Sequence, residues 1–237
     1  PVTSNWPHLV QQLADFAGGH IEKSGQPAFL VGHSLGGFLS LMCAARHPVL
    51  GGQALRGVVM LDSPVLGGWR ATALNMAKRT QLVGSLTPGA ISRRRRQRWP
   101  SAGDALVYFR SKKPFARWDE QVLHDYVAHG TQAVGSATPS ERMLSFDRDI
   151  ETAIYNTVPD NLARLLARHP LKCPAAFIGG RQSAEMKQIG MALTEKVTHG
   201  RIMMLDGTHL FPMEQPIATA AALEAALLNL ASLKSER

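Results

Sequence analysis

The 237-residue chain is 45% hydrophobic and carries 26 Lys and Arg against 18 Asp and Glu, a formal net charge of +8. That length and apolar content suffice for one sizeable core and exclude a chain disordered throughout, and no self-similarity at a fixed period marks a repeat array. No apolar run is long enough to span a bilayer, and the first residues are not a basic segment followed by an apolar one, so neither an integral membrane segment nor a visible secretory signal is expected.

In chain order, the first expected element is a helix in which Trp6, Leu9, Val10, Leu13, Phe16 and Ala17 recur at helical spacing, with Asn5 as its cap and Pro7 in its first turn. Ala28-Phe29-Leu30-Val31 then reads as a strand and runs directly into Gly32-His33-Ser34-Leu35-Gly36. Gly32 and Gly36 leave room for a sharp turn that exposes the Ser34 hydroxyl, and Gly37 lets the next helix pack closely on the sheet. Phe38 to Ala45 continues as a mostly apolar helix that stops near His47-Pro48, and Leu55 to Leu61 reads as a buried strand. The product is a β-α-β unit with a serine at its crest, the context in which a G-x-S-x-G string reads as a nucleophile elbow.

The interval from Asp62 to Cys173 is too long for a structureless loop. Helices are expected at Trp69 to Val83, Ala102 to Arg110, Asp119 to His129 and Asp160 to Ala167, with breaks at Pro88-Gly89, Pro100, Pro114, Gly130, Pro139 and Pro159. Trp69, Trp99, Tyr108, Phe109, Phe115, Trp118, Tyr126, Phe146 and Tyr155 fall here; they suit an acyl pocket, although helix-to-core packing is the commoner use of such residues. The chain closes with a strand from Cys173 to Gly180, a second from Arg201 to Leu205, and the turn Asp206-Gly207-Thr208 that carries His209.

A serine hydroxyl is protonated at neutral pH and needs a base within hydrogen-bond reach, and a histidine with an ordinary pKa can take that proton and return it to a leaving group. His209, on a loop after a strand, suits the task. His8, His20, His47, His124, His129, His169 and His199 fall on helix faces or ends, and His33, the variable residue of the elbow, is expected to pack beside the nucleophile.

The elbow Phe29 to Gly37, the strand end Leu61-Asp62-Ser63-Pro64, the late strand Cys173 to Gly180, and Gly207-Thr208-His209 with Pro212-Met213-Glu214-Gln215-Pro216 together resemble the α/β-hydrolase family. The resemblance covers most of the chain. It implies a mostly parallel sheet flanked by helices, with Ser34 as nucleophile and His209 as its base. It also implies a division into a first core part at 1–66, a helical cap insertion at 67–168, and a second core part at 169–237. The segment from Arg93 to Trp99, Ser101, Phe115 to Asp119 and Tyr126 to Gly130 looks like the cap of lipase-like hydrolases related to peroxisomal lipases. Several strands precede the elbow in the family and only one helix does here, so N-terminal strands are expected to be missing, together with the loop that supplies a second oxyanion donor. Leu35 N–H is the expected first donor.

The family usually places an acid where this chain has Ser183. Two substitutes stand nearby, Asp62 at the end of the strand after the elbow helix and Glu185 two residues beyond Ser183. Asp62 is preferred, because some members carry the acid on this earlier strand; the plainer reading is that it caps the Ser63-Pro64 turn, and a dyad without an acid is the third option.

The run Arg93-Arg94-Arg95-Arg96 with Arg98 offers attraction to acyl-CoA, phospholipid or carboxylate groups, but no nucleic-acid module accompanies it, and nucleic acid is not an expected partner. Cys43 and Cys173 read as small hydrophobes with no disulfide framework, so a reducing cytoplasm is the default location. The reading is a serine hydrolase that cleaves a carboxylic ester or related acyl compound, with Ser34, His209 and Asp62 catalytic, a small-molecule substrate, and no cofactor or metal needed. An acyltransferase or thioesterase on the same residues, or an inactive member kept as a binding protein, is the alternative.

Overall fold

A computed structural model describes residues 2–65, 88–135 and 140–233. The first unit runs α1 (Pro7–Ser24), β1 (Phe29–His33), α2 (Leu35–Arg46), the short hairpin β2 (Val49–Leu50) and β3 (Gln53–Ala54), then β4 (Gly57–Leu61). After the insertion come β8 (Ala175–Gly180), α8 (Ala184–Ile189), α9 (Ala192–Thr198), β9 (Ile202–Leu205), α10 (Phe211–Glu214) and α11 (Pro216–Ser232). The strands β1, β4, β8 and β9 form one parallel sheet in that spatial order, with Phe29 opposite Gly57, Val59 opposite Ala176, and Ile178 opposite Met203.

Every residue of β4 and β8 is buried, which explains why both read as continuous apolar runs. Alternation still decides which face each side chain enters. Val58, Met60, Ala175 and Phe177 join Val10, Ala14 and Ile21 of α1, Leu41 to Ala44 of α2 and Met186 of α8. Val59, Leu61, Ala176 and Ile178 pack on the other face against Phe211 and against Ala226 and Leu230 of α11. This is an α/β sandwich with a parallel centre and helices on both sides.

Asn5 does not cap α1. Pro7 opens the helix as expected, but the capping position is Trp6, which makes no side-chain cap bond. Trp6 is instead buried, and its indole N–H is 3.1 Å from both the Ile154 carbonyl and Thr157 Oγ1, while the Asn5 side chain accepts from Asp160 N–H. Phe16, counted on the apolar stripe, is exposed and lies edge-on against His20.

Between Pro88 and Arg168 lie α3 (Pro88–Arg93), β5 (Arg98–Trp99), α4 (Ala102–Arg110), a 3₁₀ turn (Lys113–Phe115), α5 (Glu120–Gly130), β6 (Thr131–Val134), β7 (Glu141–Leu144), α6 (Arg148–Asn156) and α7 (Leu162–Arg168). The helices expected at Ala102, Asp119 and Asp160 are present to within a few residues, because Ser101 and Asp119 accept the first free N–H groups of α4 and α5. The expected Trp69 to Val83 helix lies outside the described residues. Pro88-Gly89, read as a break, opens α3, since a first-turn proline costs a helix no hydrogen bond. The segment is not wholly helical, because β5, β7 and β6 form a small antiparallel sheet in that order. Trp99, Phe109, Leu123, Val127 and Leu144 make a separate core there, with Tyr108, Phe115, Trp118 and Tyr126 around it. Those aromatics therefore spend their surface on one another, with ring centroids 4.6 to 5.6 Å apart.

Candidate active site

The site forms at the C-terminal ends of β1, β4, β8 and β9, where a parallel sheet gathers its loops. Ser34 sits between β1 and α2 at φ 52° and ψ −117°, a sparsely populated conformation for a residue with a Cβ. Neighbouring bonds hold it there. Ser34 N–H donates to Leu61 C=O at 2.9 Å, and Ser63 Oγ donates to Ser34 C=O at 2.7 Å. The glycines divide differently from expectation. A Cβ on Gly32 would stand 2.1 Å from the Gly36 carbonyl carbon, and one on Gly37 would stand 2.1 Å from Ser63 Oγ. One on Gly36 would meet nothing within 4 Å, so position 36 supplies the crowding with its backbone and has no steric need to be glycine.

His209 follows β9 on the turn before α10. Its Nε2 accepts from Ser34 Oγ at 2.9 Å, and its Nδ1 donates to Asp62 Oδ2 at 2.7 Å; a carboxylate only accepts, which assigns the ring proton to Nδ1. Asp62 is at φ 46° with a fully buried side chain, and Gly180 N–H donates to its other oxygen at 2.8 Å. Ser183 Oγ lies 2.5 Å from Asp62 Oδ2, so the position where an acid was sought carries instead a hydroxyl donor to the acid. A buried carboxylate with three donors is satisfied rather than stranded. Glu185 is close but secondary in position, with Oε2 3.9 Å from His209 Nδ1, 3.2 Å from Ser183 Oγ, and its side chain 45% exposed.

His33 packs its ring 4.9 Å from that of His209, and its Nε2–H donates to the His209 carbonyl at 2.7 Å. Burial pushes its pKa below the ordinary histidine value, opposed by that hydrogen bond, and the ring is neutral around pH 7. Leu35 is the first residue of α2, so its N–H is among those with no partner inside the helix. Asp62, Glu185 and His209 offer ligand atoms within 4.8 Å of one another, but a metal there would displace the proton that His209 shares with Asp62. Sequence reasoning missed Ser183 as a partner and the hydrogen bonds from the N–H and hydroxyl of Thr208, the residue before His209, to the Glu214 carboxylate. The pentad from Pro212 to Pro216 was the only local signal for the latter.

The sequence matches the alpha/beta hydrolase family over residues 1–222. The chain belongs to the alpha/beta hydrolase family. A crystal structure of E-2-(acetamidomethylene)succinate hydrolase resembles it at 21% identity and TM-score 0.63, covering 92% of this chain and 73% of that one. A peroxisomal alpha-beta-hydrolase of Saccharomyces cerevisiae does so at 14% identity and TM-score 0.63, covering 94% of this chain and 58% of its own. Epoxide hydrolase A of Mycobacterium thermoresistibile follows at 18% identity and TM-score 0.59, covering 92% of this chain and 75% of its own. At these identities the likeness is one of fold. No curated protein matches by sequence. Among the described residues, no helix of this alpha/beta hydrolase is long and apolar enough to cross a membrane.

Proposed function

We propose that this alpha/beta hydrolase is a serine hydrolase that cleaves a carboxylic ester or related acyl compound through an acyl-enzyme on Ser34. The supporting observation is the unbroken line from the buried Asp62 carboxylate through both ring nitrogens of His209 to the Ser34 hydroxyl, at 2.7 and 2.9 Å. Ser34 Oγ attacks the acyl carbon as His209 Nε2 takes its proton, and the carbonyl electron pair moves onto oxygen, where Leu35 N–H at the start of α2 donates to it. Collapse of this intermediate breaks the bond to the leaving group, which takes the proton from His209. Water then repeats the sequence and frees Ser34, with the acyl group released as a carboxylic acid. Asp62 stays ionised, holds the Nδ1–H tautomer, and stabilises the imidazolium formed at each step. The reading of 67–168 as a cap is supported by Arg117 Nη1, which donates to Gln182 Oε1, and by Asp119 N–H, which donates to Met213 C=O.

Ser34 favours acyl chemistry over epoxide opening, for which the family resemblance places an aspartate at the elbow. A fluorophosphonate probe tests the reading. The folded wild type is expected to label on Ser34, Ser34→Ala to lose labelling completely, and p-nitrophenyl esters to release nitrophenolate only with Ser34 present. A folded wild type that neither labels nor turns over any ester or thioester would overturn it.

A further inference from the structure

The His209 turn is built around a second carboxylate. Glu214 lies on α10 with its side chain only 4% exposed, and both of its oxygens are used on the residue before the histidine. Thr208 N–H donates to Oε2 at 2.9 Å, and the Thr208 hydroxyl donates to Oε1 at 2.6 Å. The same hydroxyl oxygen accepts from Leu210 N–H at 3.1 Å, on the far side of His209. The fit is tight. Gly207 holds φ 135°, and a Cβ there would stand 2.9 Å from Glu214 Oε2 and 2.7 Å from Phe211 Cβ. His209 is thus flanked on both sides by residues tied, directly or through one hydroxyl, to a single buried carboxylate.

That carboxylate also faces the insertion. Arg117 Nη2 is 3.5 Å from Glu214 Oε2, and Arg117 Nη1 donates to Gln182 Oε1 at 2.7 Å. Gln182 precedes Ser183, the hydroxyl partner of Asp62, and its own N–H donates to Gly207 C=O at 2.9 Å. Asp119 N–H donates to Met213 C=O at 2.8 Å, one residue from Glu214. One arginine therefore touches both Gln182, next to the hydroxyl partner of Asp62, and Glu214, the carboxylate that holds the residue before His209.

We propose that Glu214 is a positioning residue for His209, acting through Thr208, and that Arg117 links this brace to the insertion. The proposal rests on His209 serving as the base of Ser34. The physical reason is that a base held on a turn can drift from its nucleophile, and displacement by about 1 Å costs a rate on the order of 10²-fold. Glu214→Gln keeps the size of the side chain and one acceptor oxygen but leaves only one of the two Thr208 donors a partner, and it removes the charge that faces Arg117.

The test is a double-mutant cycle read by the rate of fluorophosphonate labelling at Ser34, with kcat and KM for a p-nitrophenyl ester, in wild type, Glu214→Gln, His209→Ala and the double variant. Thermal unfolding is followed in each. Glu214→Gln is expected to lower labelling and kcat about tenfold with KM nearly unchanged, and to have no further effect once His209 is gone. Arg117→Ala is expected to do the same more weakly. An equal loss in the presence and absence of His209 would show a general loosening and overturn the proposal, as would wild-type kinetics in a folded Glu214→Gln. A Glu214→Ala variant gives the larger effect, and the glutamine variant keeps the test open if alanine does not fold. An active wild type insensitive to His209→Ala would sink the underlying reading instead, so the two failures are distinguishable.

Discussion

Two carboxylates lie within reach of one imidazole nitrogen, and burial and distance separate them. Asp62 is 2.7 Å from His209 Nδ1 and fully buried, whereas Glu185 is 3.9 Å away and nearly half exposed, where water screens its charge. Asp62→Asn is therefore expected to lower kcat by about 10⁴-fold, because the amide favours the wrong tautomer, and Glu185→Gln to change it by no more than about fivefold. Steady-state kinetics on one ester check both, and the reverse order would move the acid to Glu185. His33 makes a second residue-level prediction. Its folded pKa lies below 6.5 because its ring is partly buried, so between the two values the unfolded chain binds more protons than the folded one. The stability it contributes is present above pH 6.5 and lost as pH falls through the folded value. The drop in melting temperature between pH 7.5 and pH 5 is expected to shrink in His33→Asn, and an unchanged drop would refute this assignment.

The elbow as an element depends on two of its three glycines. Gly37→Ala drives a Cβ into Ser63, the residue whose hydroxyl holds the Ser34 carbonyl, and overpacking of this kind costs about 1–3 kcal/mol. It is expected to lower the urea midpoint and to slow labelling of Ser34, while Gly36→Ala does neither, since its Cβ meets open space. Equal effects at the two positions would contradict the packing. This contrast was not legible in the sequence. The G-x-S-x-G spacing identifies a turn, but which glycine is short of room follows from how α2 lies against β1 and β4. Local signals served better for helix starts, where Ser101 and Asp119 sit next to the N–H groups they satisfy. They failed for β5, β6 and β7, whose strands are two to four residues long and paired across the insertion, too short for alternation to speak.

Across the whole molecule, Trp6 ties the start of the first core part to α6 of the insertion. Its indole N–H lies 3.1 Å from Ile154 C=O and from Thr157 Oγ1, across 148 and 151 residues of sequence. Trp6→Phe keeps a large apolar ring and removes the donor; both acceptors are only partly buried and Ile154 C=O still accepts from Thr157 N–H, so the cost expected in urea unfolding is that of the lost bond, about 0.5–1.5 kcal/mol. A loss below experimental error would show that the ring alone holds the junction.

The β-α-β unit, the turn at Ser34, the late strands and the loop that carries His209 are legible in the chain, because each is encoded by neighbouring residues: an apolar run, a glycine spacing, a capping side chain. Which carboxylate meets His209, the bond from Ser183 to Asp62, and the mutual packing of Trp99, Tyr108, Phe109, Phe115, Trp118 and Tyr126 follow only from the three-dimensional arrangement. Asp62 and His209 are 147 residues apart and meet only because β4 lies beside β8 and β8 beside β9, an order set by two packed faces of a sheet and written in no local pattern.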